Sequence, residues 1–596
     1  MVKVSDLVAN FLKEKEIKVV FGIIGSANSH IFDSINTLDY TKVINVHHEQ
    51  AGVMAMGAYY RSSGKLSATI VTAGGGAANS ITGIVSNWAD SIPGIIISGN
   101  ESSYYIKNQE HLRMYGTQGF NISKMVSDVT KYSHCLIDEN DIQSELEKCY
   151  KITNTGRKGP VLLDIPFDIQ AKQTPVRDWV KFEDFDLPNP EHSDYIIEQI
   201  NKAKRPLILG GHGIKLSGAK KSFQSLINKT GIPTTLSWAG IDLLSSDNPN
   251  FYGRFGLYGQ RAANFIVQNC DLLIVLGSRL ALPQTGYNFD EFVREGKIII
   301  VDIDTPQFPL DKADKYFKID CKSTIRSLLR KSDQINSIDK DWDRYCKKMK
   351  IVYPWIDKEH EHNGNYLNSY QFMDKLSDHL KKEHIIVTDM GTALLSGHQS
   401  LKLNSDQTMF TSLGLGEMGF GIAGALGAAA ACPNQDILCL NCDGGIMMNL
   451  QELHTIIENG FNVKVVIFNN DGYLMIKHTQ KMLFKGNHIS VNKKTGVGLP
   501  NFKKLLPAFG YDYFELKDWN NTDKILNEFL NHPTSAALEV YMDPEQGFLP
   551  KVKGVLKEDN TILAPPIEEM SPLVSQEELE ASMLVELSDK SNQIKR

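Results

Sequence analysis

The segment from Asp436 to Gly472 constrains the fold of this chain more than any other, because it predicts two parallel strands joined by a helix. Its parts are, in chain order, an apolar run (437–440), a polar turn (443–445), a helical pattern from about Asn449 to Glu458, a second apolar run (463–468) and an asparagine pair (469–470). Such a strand–helix–strand order is typical of parallel α/β sheets. Ligands of open α/β sheets bind beyond the carboxyl ends of the strands. We therefore expect a ligand site where these two strands end.

Three residues at these strand ends have the oxygen atoms that Mg²⁺ prefers. Asp443 offers a carboxylate, Asn470 an amide oxygen and the backbone of Gly472 a carbonyl, and Mg²⁺ shares such ligands with phosphates. Gly444 and Gly445 would let the backbone approach phosphates at a helix N-terminus, where N–H groups favour anions. The segment thus predicts a diphosphate held by a divalent cation, and an ordinary strand–turn–helix with an Asx turn is the alternative.

The rest of the chain also alternates β-branched runs with helical stretches, which predicts an α/β fold with three Rossmann-like, doubly wound parallel-sheet domains. We place them at residues 1–172 (first block), 190–335 (middle block) and 360–548 (third block), followed by a C-terminal tail over 549–596. A polar, proline-containing stretch (173–192) and a charged stretch (331–343) are interpreted as connections.

Composition excludes several classes of protein. The 596 residues have a formal net charge of −7, with both signs scattered, whereas a nucleic-acid binder normally has a basic face. No apolar run approaches the ~20 residues that a membrane span requires. The start of the chain has no apolar signal core, and the eight cysteines include no CxxC pair. We expect a cytoplasmic protein with reduced thiols and with neither a nucleic-acid nor a membrane partner.

Two motifs carry a family resemblance. Asp443-Gly444 followed by Asn470 resembles the thiamine-diphosphate motif, and Val46–Gln50 (VHHEQ) resembles a strand-end motif of the acetolactate synthase family. The resemblance covers nearly the whole chain and implies thiamine diphosphate and Mg²⁺ as cofactors. It also implies that Glu49 is the catalytic glutamate, whose carboxyl group hydrogen-bonds to the pyrimidine ring of the cofactor and activates it. Without that resemblance, a surface glutamate would be the simpler interpretation of Glu49.

Further segments match the family and imply additional roles. In Gly414–Phe420 (GLGEMGF), Met418 would hold the cofactor in a bent shape, although a core methionine is the alternative. Gln118 and His48 are candidates for proton transfer or acceptor contact, and a packing role is equally open for each. Glycine turns and the helix after the asparagine pair supply the other implied thiamine-diphosphate contacts: Gly25, Gly75, Gly416, Gly444, Gly445 and Met475. One departure is Cys442, where the family usually has glycine.

The family resemblance also bears on assembly and on a second cofactor. In this family the glutamate and the metal motif of one active site come from different subunits, which implies a homodimer or homotetramer with shared sites. Middle-block segments that match the flavin-binding segments of acetolactate synthases place Gly211, Gly256, Arg279 and Asp302 against FAD, in a non-redox role. A Rossmann-like domain without flavin, as in the simple decarboxylases, is the alternative.

Two departures bear on the substrate. Pro283 stands where the family has an arginine that binds the carboxylate of the second 2-oxo acid, and Thr479 stands where it has a tryptophan. Residues 282–288 and 410–420 resemble a polysaccharide-locus branch that attaches a two-carbon unit to a keto-sugar in yersiniose synthesis. We therefore expect a carboligase that decarboxylates pyruvate and transfers the acyl unit to a carbonyl acceptor, either a keto-sugar or another acceptor that is not an acid.

Three other functions stay open at the level of sequence. The first is acetolactate synthase itself, which joins two pyruvate molecules and releases CO₂. The second is a cofactor-binding protein without catalysis. The third, an NAD-dependent oxidoreductase, is weakened because the loop 74–76 has no fitting acidic residue about 20 positions later.

Overall fold

We analysed a computed structural model of the chain, which describes residues 1–109, 111–180, 192–361, 366–556 and 562–596. Within these residues the strands form three parallel sheets and three two-stranded antiparallel ribbons. The predicted α/β class with three parallel sheets is therefore confirmed. Of the predicted connection 173–192, residues 181–191 lie outside the described residues, and so does the predicted domain boundary at residue 190.

The first block contains a six-stranded parallel sheet among its described residues. Its strands are β1 (Val19–Gly22), β2 (Lys42–Asn45), β3 (Ala68–Val71), β4 (Gly94–Asn100), β5 (Tyr132–Cys135) and β6 (Pro160–Pro166), in the order β2-β1-β3-β4-β6-β5. The helices are α1 (Val4–Glu14), α2 (Ser29–Leu38), α3 (Glu49–Ser63), α4 (Gly75–Asn79), α5 (Ile81–Ala89), α6 (Ser103–Gln109), α7 (Ile122–Met125), α8 (Ile142–Asn154) and α9 (Phe167–Ala171). Strands β3, β4 and β6 are buried along their whole length, as expected for a parallel sheet covered on both faces.

The middle block contains a five-stranded parallel sheet within the described chain. Its strands are β7 (Pro206–Gly210), β8 (Thr234–Leu236), β9 (Leu272–Leu276), β10 (Lys297–Asp302) and β11 (Lys315–Lys318), in the order β8-β7-β9-β10-β11. The helices are α10 (His192–Lys202), α11 (Gly213–Leu216), α12 (Lys220–Thr230), α13 (Arg261–Asn269), α14 (Leu282–Thr285) and α15 (Cys321–Arg330).

The third block has a sheet with the same strand order as the first, again over the described residues. Its strands are β12 (Ile385–Thr388), β13 (Thr408–Phe410), β14 (Ile437–Cys442), β15 (Val463–Asn469), β16 (Asp512–Leu516) and β17 (Ala536–Tyr541), in the order β13-β12-β14-β15-β17-β16. The helices from the second connection to the tail are α16 (Lys340–Val352), α17 (Ser369–Ser377), α18 (Thr392–Ser400), α19 (Phe420–Ala431), α20 (Glu452–Glu458), α21 (Leu474–Leu483), α22 (Phe502–Ala508), α23 (Thr522–Leu530) and α24 (Gln576–Ser582). The ribbons pair Val2–Lys3 with Gln173–Thr174, Lys551–Val552 with Met570–Ser571, and Val555–Leu556 with Ile562–Leu563.

The chain divides into two compact units. One unit comprises Met1–Asp184, Glu383–Leu394 and Thr408–Pro544, and it contains the first and third sheets. The other comprises Phe185–Lys382, Leu395–Gln407 and Glu545–Arg596, and it contains the middle sheet. In the first of these units a single hydrophobic cluster includes side chains of both sheets and of helices α3 and α19.

Helices α3 and α19 approach closely where Gly427 faces Ala55. A Cβ atom at Gly427 would lie 2.1 Å from the carbonyl oxygen of Ala55. Only glycine permits this approach of two backbones, since any side chain would have to displace the facing turn. The alanine- and glycine-rich sequence of α19 therefore joins the first block to the third.

Two expectations about helices need correction. The helix predicted from Asn449 begins at Glu452, after a separate 3₁₀ turn at Ile446–Met448. Asn449 leaves the helical conformation, with φ −138° and ψ 35°, and its side-chain amide donates to the carbonyl of Gly419 at 2.9 Å. The charged stretch 331–343 is only partly a connection, because α16 begins at Lys340 within it.

Among the residues that the structure describes, no helix combines the length and the apolar character that crossing a membrane requires.

Candidate active site

The carboxyl ends of three neighbouring strands of the third sheet carry the candidate metal site. Strand β14 pairs in parallel with β12 on one side and with β15 on the other, so the residues that follow these strands lie at one edge. Those residues are Asp389 after β12, Asp443 after β14 and Asn470 after β15. The predicted pair of Asp443 and Asn470 is therefore brought together, and Asp389 is an addition that the sequence analysis missed.

Asp443 is held as a preorganised acceptor. Its Oδ1 accepts the N–H of Gly444 at 2.7 Å, and its Oδ2 accepts the N–H groups of Asn470 and Gly472, each at 3.0 Å. Full burial raises the pKa of this carboxyl to about 7, and the three backbone donors oppose that rise. A nearby cation would stabilise the charged form further, so the residue suits a metal ligand.

Asn470 has one atom that the protein leaves unsatisfied. Its Nδ2 donates to Oγ1 of Thr392 at 3.0 Å, which fixes the orientation of the amide. Its Oδ1 is buried and has no hydrogen-bond partner among the described residues. Because buried acceptors without partners are costly, an oxygen aimed in this way fits coordination of a cation.

A metal ion at this candidate site would need a mixed set of side-chain and backbone ligands. Over the described ranges no group of three His, Cys, Asp or Glu side chains could hold a metal ion. The backbone of Gly472 would complete the predicted set, and its φ of +115° requires glycine. A Cβ atom there would also lie 2.0 Å from the carbonyl oxygen of Val491.

The two glycines after Asp443 lie against other parts of the site. A Cβ atom at Gly444 would meet the ring of Tyr473 at 2.4 Å, and one at Gly445 would meet Oδ2 of Asp389 at 2.8 Å. Asp389 also accepts the N–H of Gly419 at 3.0 Å, so it links the glycine turn to the segment that contains Met418. An acid directly after a β-branched strand was the sequence signal that could have revealed Asp389.

The cysteine at the family's glycine position is accommodated without disturbing the site. Cys442 is buried at the end of β14, and its Sγ accepts the N–H of Ala393 at 3.4 Å. The sulfur lies 3.2 Å from the Cβ position of Gly391, a glycine with φ +97°. The extra volume at residue 442 is therefore matched by the absence of a side chain at residue 391.

The other predicted cofactor contacts of the third block are half-buried, and their roles stay predictions. Gly416 has φ +75°, and a Cβ atom there would lie 3.0 Å from Cε of Met390. Met418 lies in the turn before α19, and Met475 lies in the first turn of α21.

Glu49 lies at the carboxyl edge of the first sheet, as the first residue of α3, and it is buried. Its Oε2 accepts Nδ2 of Asn79 at 3.0 Å, and its Oε1 lies 3.0 Å from the Cβ position of Gly76. The surface-glutamate alternative is therefore wrong. Asn79, which orients the carboxyl group, was missed by sequence reasoning because its partner lies 30 residues away.

Other predicted residues of the first block lie around the same glycine loop. A Cβ atom at Gly25 would contact Oγ1 of Thr72 at 2.4 Å, and one at Gly74 would contact the side chain of Gln118 at 3.1 Å. Gln118 is exposed, and the space around Gly75 is open to 4 Å. The catalytic role of Gln118 stays a prediction.

His48 has a structural role that the sequence left open. It precedes α3, and its Nδ1 accepts the N–H of Gln50 at 3.2 Å, which caps the helix. This contact positions the helix that begins with Glu49, and a role of His48 in proton transfer stays a prediction.

Asp90 attaches the GLGEMGF segment to the first block. Its carboxylate accepts the N–H groups of Leu413 and Gly414 at 3.0 and 2.8 Å, and it forms a buried ion pair with Arg61 at 2.6 Å. Because the charge of Asp90 is neutralised by Arg61, the aspartate can bind the loop in a buried position.

Two of the predicted glycines in the middle block lie so close to other backbone atoms of the protein that a side chain would not fit. Cβ atoms at Gly211 and Gly256 would lie 2.2 Å from the carbonyl oxygen of Gly277 and 2.3 Å from that of Pro283. Arg279 and Asp302 are half-buried beyond β9 and at the end of β10, at the same sheet edge as Gly211.

One further atom of this edge has unmet hydrogen-bonding capacity. Nε2 of Gln284 is buried and has no acceptor among the described residues. A ligand with acceptor atoms, such as a flavin, would fit this donor.

The candidate Asp–Asn cation site on one sheet and the buried glutamate on a second sheet of like order are what we expect of a thiamine-diphosphate-binding enzyme. Three family models match in order: the N-terminal thiamine pyrophosphate-binding domain over residues 2–125, the central domain of thiamine pyrophosphate enzymes over 194–328, and their C-terminal binding domain over 389–540. The chain belongs to the thiamine pyrophosphate enzymes, and over most of its length it is similar to large subunits of acetolactate synthases.

Relatives of similar length support this placement. The chain is 28% identical to the large subunit of acetolactate synthase isozyme 2 from Escherichia coli, over 91% of this chain and 96% of that protein. It is 29% identical to the large subunit of isozyme 1 from the same organism, over 92% and 95%. It is 26% identical to the acetolactate synthase large subunit of Lactococcus lactis, over 94% and 96%.

Proposed function

We propose that the protein decarboxylates a 2-oxo acid such as pyruvate and joins the remaining acyl unit to a second 2-oxo acid, as in acetolactate synthesis. The unsatisfied Oδ1 of Asn470 beside Asp443 carries this proposal, because it marks a prepared place for the cation that binds the cofactor diphosphate. Thiamine diphosphate, when bound, supplies a nucleophilic carbon and takes up the electrons that CO₂ leaves behind. The protein's residues bind, orient and shield the reacting groups.

Each residue of the site would have one task. Asp443, Asn470 and the carbonyl of Gly472 would hold Mg²⁺, and Gly444 and Gly445 would leave room for the phosphates. Glu49 would hydrogen-bond to the pyrimidine ring, and its burial suits a carboxyl group that exchanges a proton with a ring nitrogen. Met418 and Met475 would contact the organic part of the cofactor.

We propose a homodimer, or a homotetramer built from two such dimers, as the active form. The unit that contains the first and third sheets exposes large apolar side chains in both blocks. They include Ile24, Tyr104 and Met114 in the first block and Met482 and Phe484 in the third block. Exposed apolar groups of this size favour burial against a partner, and a second copy of the chain is the partner that the family implies.

The acceptor is where the two candidate reactions differ. Similarity to acetolactate synthases supports a second 2-oxo acid, which was the alternative at the level of sequence, and gives no support to a keto-sugar. Pro283 and Thr479 favour a second candidate, an acceptor without a carboxylate, because the arginine that would bind that carboxylate is replaced.

Incubation with pyruvate alone separates these candidates. Protein supplied with thiamine diphosphate and Mg²⁺ should release CO₂ and form acetolactate, identified by mass. A product that appears only when a sugar or aldehyde carbonyl is added would overturn the first candidate in favour of the second. Failure to take up thiamine diphosphate after removal and resupply of Mg²⁺ would refute both.

FAD is a separate proposal for the middle block. The unmatched Nε2 of Gln284 and the common sheet edge of Gly211, Arg279 and Asp302 support it. Purified protein should release a flavin chromophore on denaturation, in about one equivalent per chain. A colourless protein that takes up no added FAD would favour the domain without flavin.

A further inference from the structure

A buried glutamate of the third block contacts the loop that leads to Glu49. Oε1 of Glu452, in the first turn of α20, accepts the backbone N–H of His47 at 3.0 Å. Oε2 of Glu452 accepts the hydroxyl hydrogen of Thr455 at 2.7 Å, one turn further along the same helix. Glu452 and Thr455 are both buried.

The hydrogen bonds of this cluster fix the direction of each donor. Oγ1 of Thr455 lies 2.9 Å from Nδ1 of His47, and the hydroxyl hydrogen of Thr455 is already given to Glu452. Because an ionised Glu452 takes the hydroxyl hydrogen of Thr455, Oγ1 of Thr455 is left to accept the Nδ1–H of His47. Both the backbone and the ring of His47 are thus held by helix α20.

His47, which helix α20 holds in this way, lies two positions before Glu49 in the sequence. His48, between them, caps α3 through the N–H of Gln50, and Glu49 is the first residue of that helix. On its other side the carboxyl group of Glu49 is held by Asn79, which belongs to its own block. Glu49 therefore lies between a contact within the first block and a backbone anchor from the third.

We infer that Glu452 and Thr455 are positioning residues that set the place of the Glu49 carboxyl group relative to the pyrimidine ring. The inference rests on the proposed role of Glu49. Glu452 acts through the backbone of His47 and does not touch the cofactor. A charged acceptor is suited to this task, because hydrogen bonds to carboxylates are shorter and stronger than neutral ones.

The direct readout is the exchange of the C2 proton of bound thiamine diphosphate with deuterium, which reports cofactor activation independently of any acceptor. In Glu452→Gln, which preserves shape but removes the charge, we expect exchange to slow roughly tenfold, as for the loss of one charge-assisted hydrogen bond. The dissociation constant of thiamine diphosphate should stay within about twofold. Wild-type exchange in a folded Glu452→Gln holoenzyme would overturn the inference.

Matched variants distinguish positioning from general destabilisation. Thr455→Val should slow exchange by a smaller factor, and Thr455→Ser, which restores the hydroxyl, should recover the wild-type rate. Glu458→Gln removes an exposed carboxylate from the same helix, where it pairs only with His454 at 3.6 Å, and should change nothing. Equal losses of exchange rate in Thr455→Ser and Thr455→Val would contradict the hydrogen-bond chain. These two variants also test the inference if Glu452→Gln does not fold.

A double variant separates this inference from the proposed function. If Glu452 acts through Glu49, adding Glu452→Gln to Glu49→Gln should slow exchange no further. A further tenfold loss in the double variant would show that Glu452 acts elsewhere. If the wild-type protein binds thiamine diphosphate but Glu49→Gln exchanges normally, the assignment of Glu49 fails, whatever Glu452 does.

Discussion

The first and third blocks have sheets of the same strand order, yet the carboxyl ends of their strands carry different chemistry. In the first block these ends carry glycine turns around a buried acid, Glu49, held by one amide. In the third block they carry Asp389, Asp443 and Asn470, whose oxygens face backbone donors or lack a partner. The shared topology sets where a ligand lies in each block, namely at the carboxyl ends of the strands. The residues at those ends decide which part of a cofactor that block can bind.

The two blocks also use buried aspartates in different ways. Burial raises the pKa of Asp164 in the first block to about 7, and it does the same for Asp389 and Asp443 in the third block. Asp443 receives three backbone N–H groups, which prepare it for a negative charge. Asp164 receives the side-chain amide of Asn100 at 2.5 Å, and its Oδ1 has no partner in the described part of the chain. Asp164 is therefore better suited to the protonated form.

The largest effect should come from breaking the charged site of the third block. Asp443→Asn would point an amide N–H at the N–H donors of Asn470 or Gly472 and would remove the metal-binding charge. We expect Mg²⁺-dependent affinity for thiamine diphosphate to fall by about two orders of magnitude or more, measured by titration calorimetry. Asp518→Asn, on an exposed turn, is the control. Unchanged affinity in Asp443→Asn would remove the metal assignment.

The matching change in the first block should separate binding from activation. Glu49→Gln keeps the hydrogen-bonding shape beside Asn79 but cannot exchange a proton. Turnover should fall by about a thousandfold, as for loss of a general acid–base group, while cofactor affinity changes little. Glu14→Gln, exposed on α1, is the control. If Glu49→Gln lost cofactor binding as completely as Asp443→Asn, the contrast between the blocks would be wrong.

Asp164 should make stability depend on pH. Its pKa in the folded protein, about 7, lies above the ordinary value of 3.8, so the folded state keeps a proton that the unfolded state has lost. The free energy of unfolding should therefore fall as pH rises from about 4 to 7, by at most about 1.4 kcal/mol per pH unit from this group. Denaturant titrations of Asp164→Asn should show a flatter dependence than wild type, and Asp33→Asn, which changes an exposed aspartate, should not. A slope that Asp164→Asn leaves unaltered would contradict the raised pKa.

The smallest effect should distinguish the glycine turns. Gly445→Ala places a Cβ atom 2.8 Å from Oδ2 of Asp389, whereas Gly75→Ala meets nothing within 4 Å. Without cofactor, the first change should cost about 1–3 kcal/mol of unfolding free energy and the second less than about 0.5 kcal/mol. Equal costs in chemical denaturation would mean that the turn of the first block is as crowded as that of the third.

Sequence reasoning located the strands and the local motif well because both depend on neighbouring residues. The apolar runs 437–440 and 463–468 lie in the strands Ile437–Cys442 and Val463–Asn469, and the spacing of Asp443 and Asn470 follows from this one strand–helix–strand unit. The residues that orient the site could not be found in this way. Thr392 contacts Asn470 across 78 residues, and Glu452 contacts His47 across 405, so no local pattern reveals either pair.

The glycine contact between α3 and α19 has a thermodynamic consequence. Because Gly427 admits no side chain against Ala55, and one apolar cluster contains residues of both blocks, neither block can lose its structure while the other keeps its own. A calorimetric scan should then record their melting as one cooperative peak. Heat would abolish cofactor activation and cation binding at the same temperature.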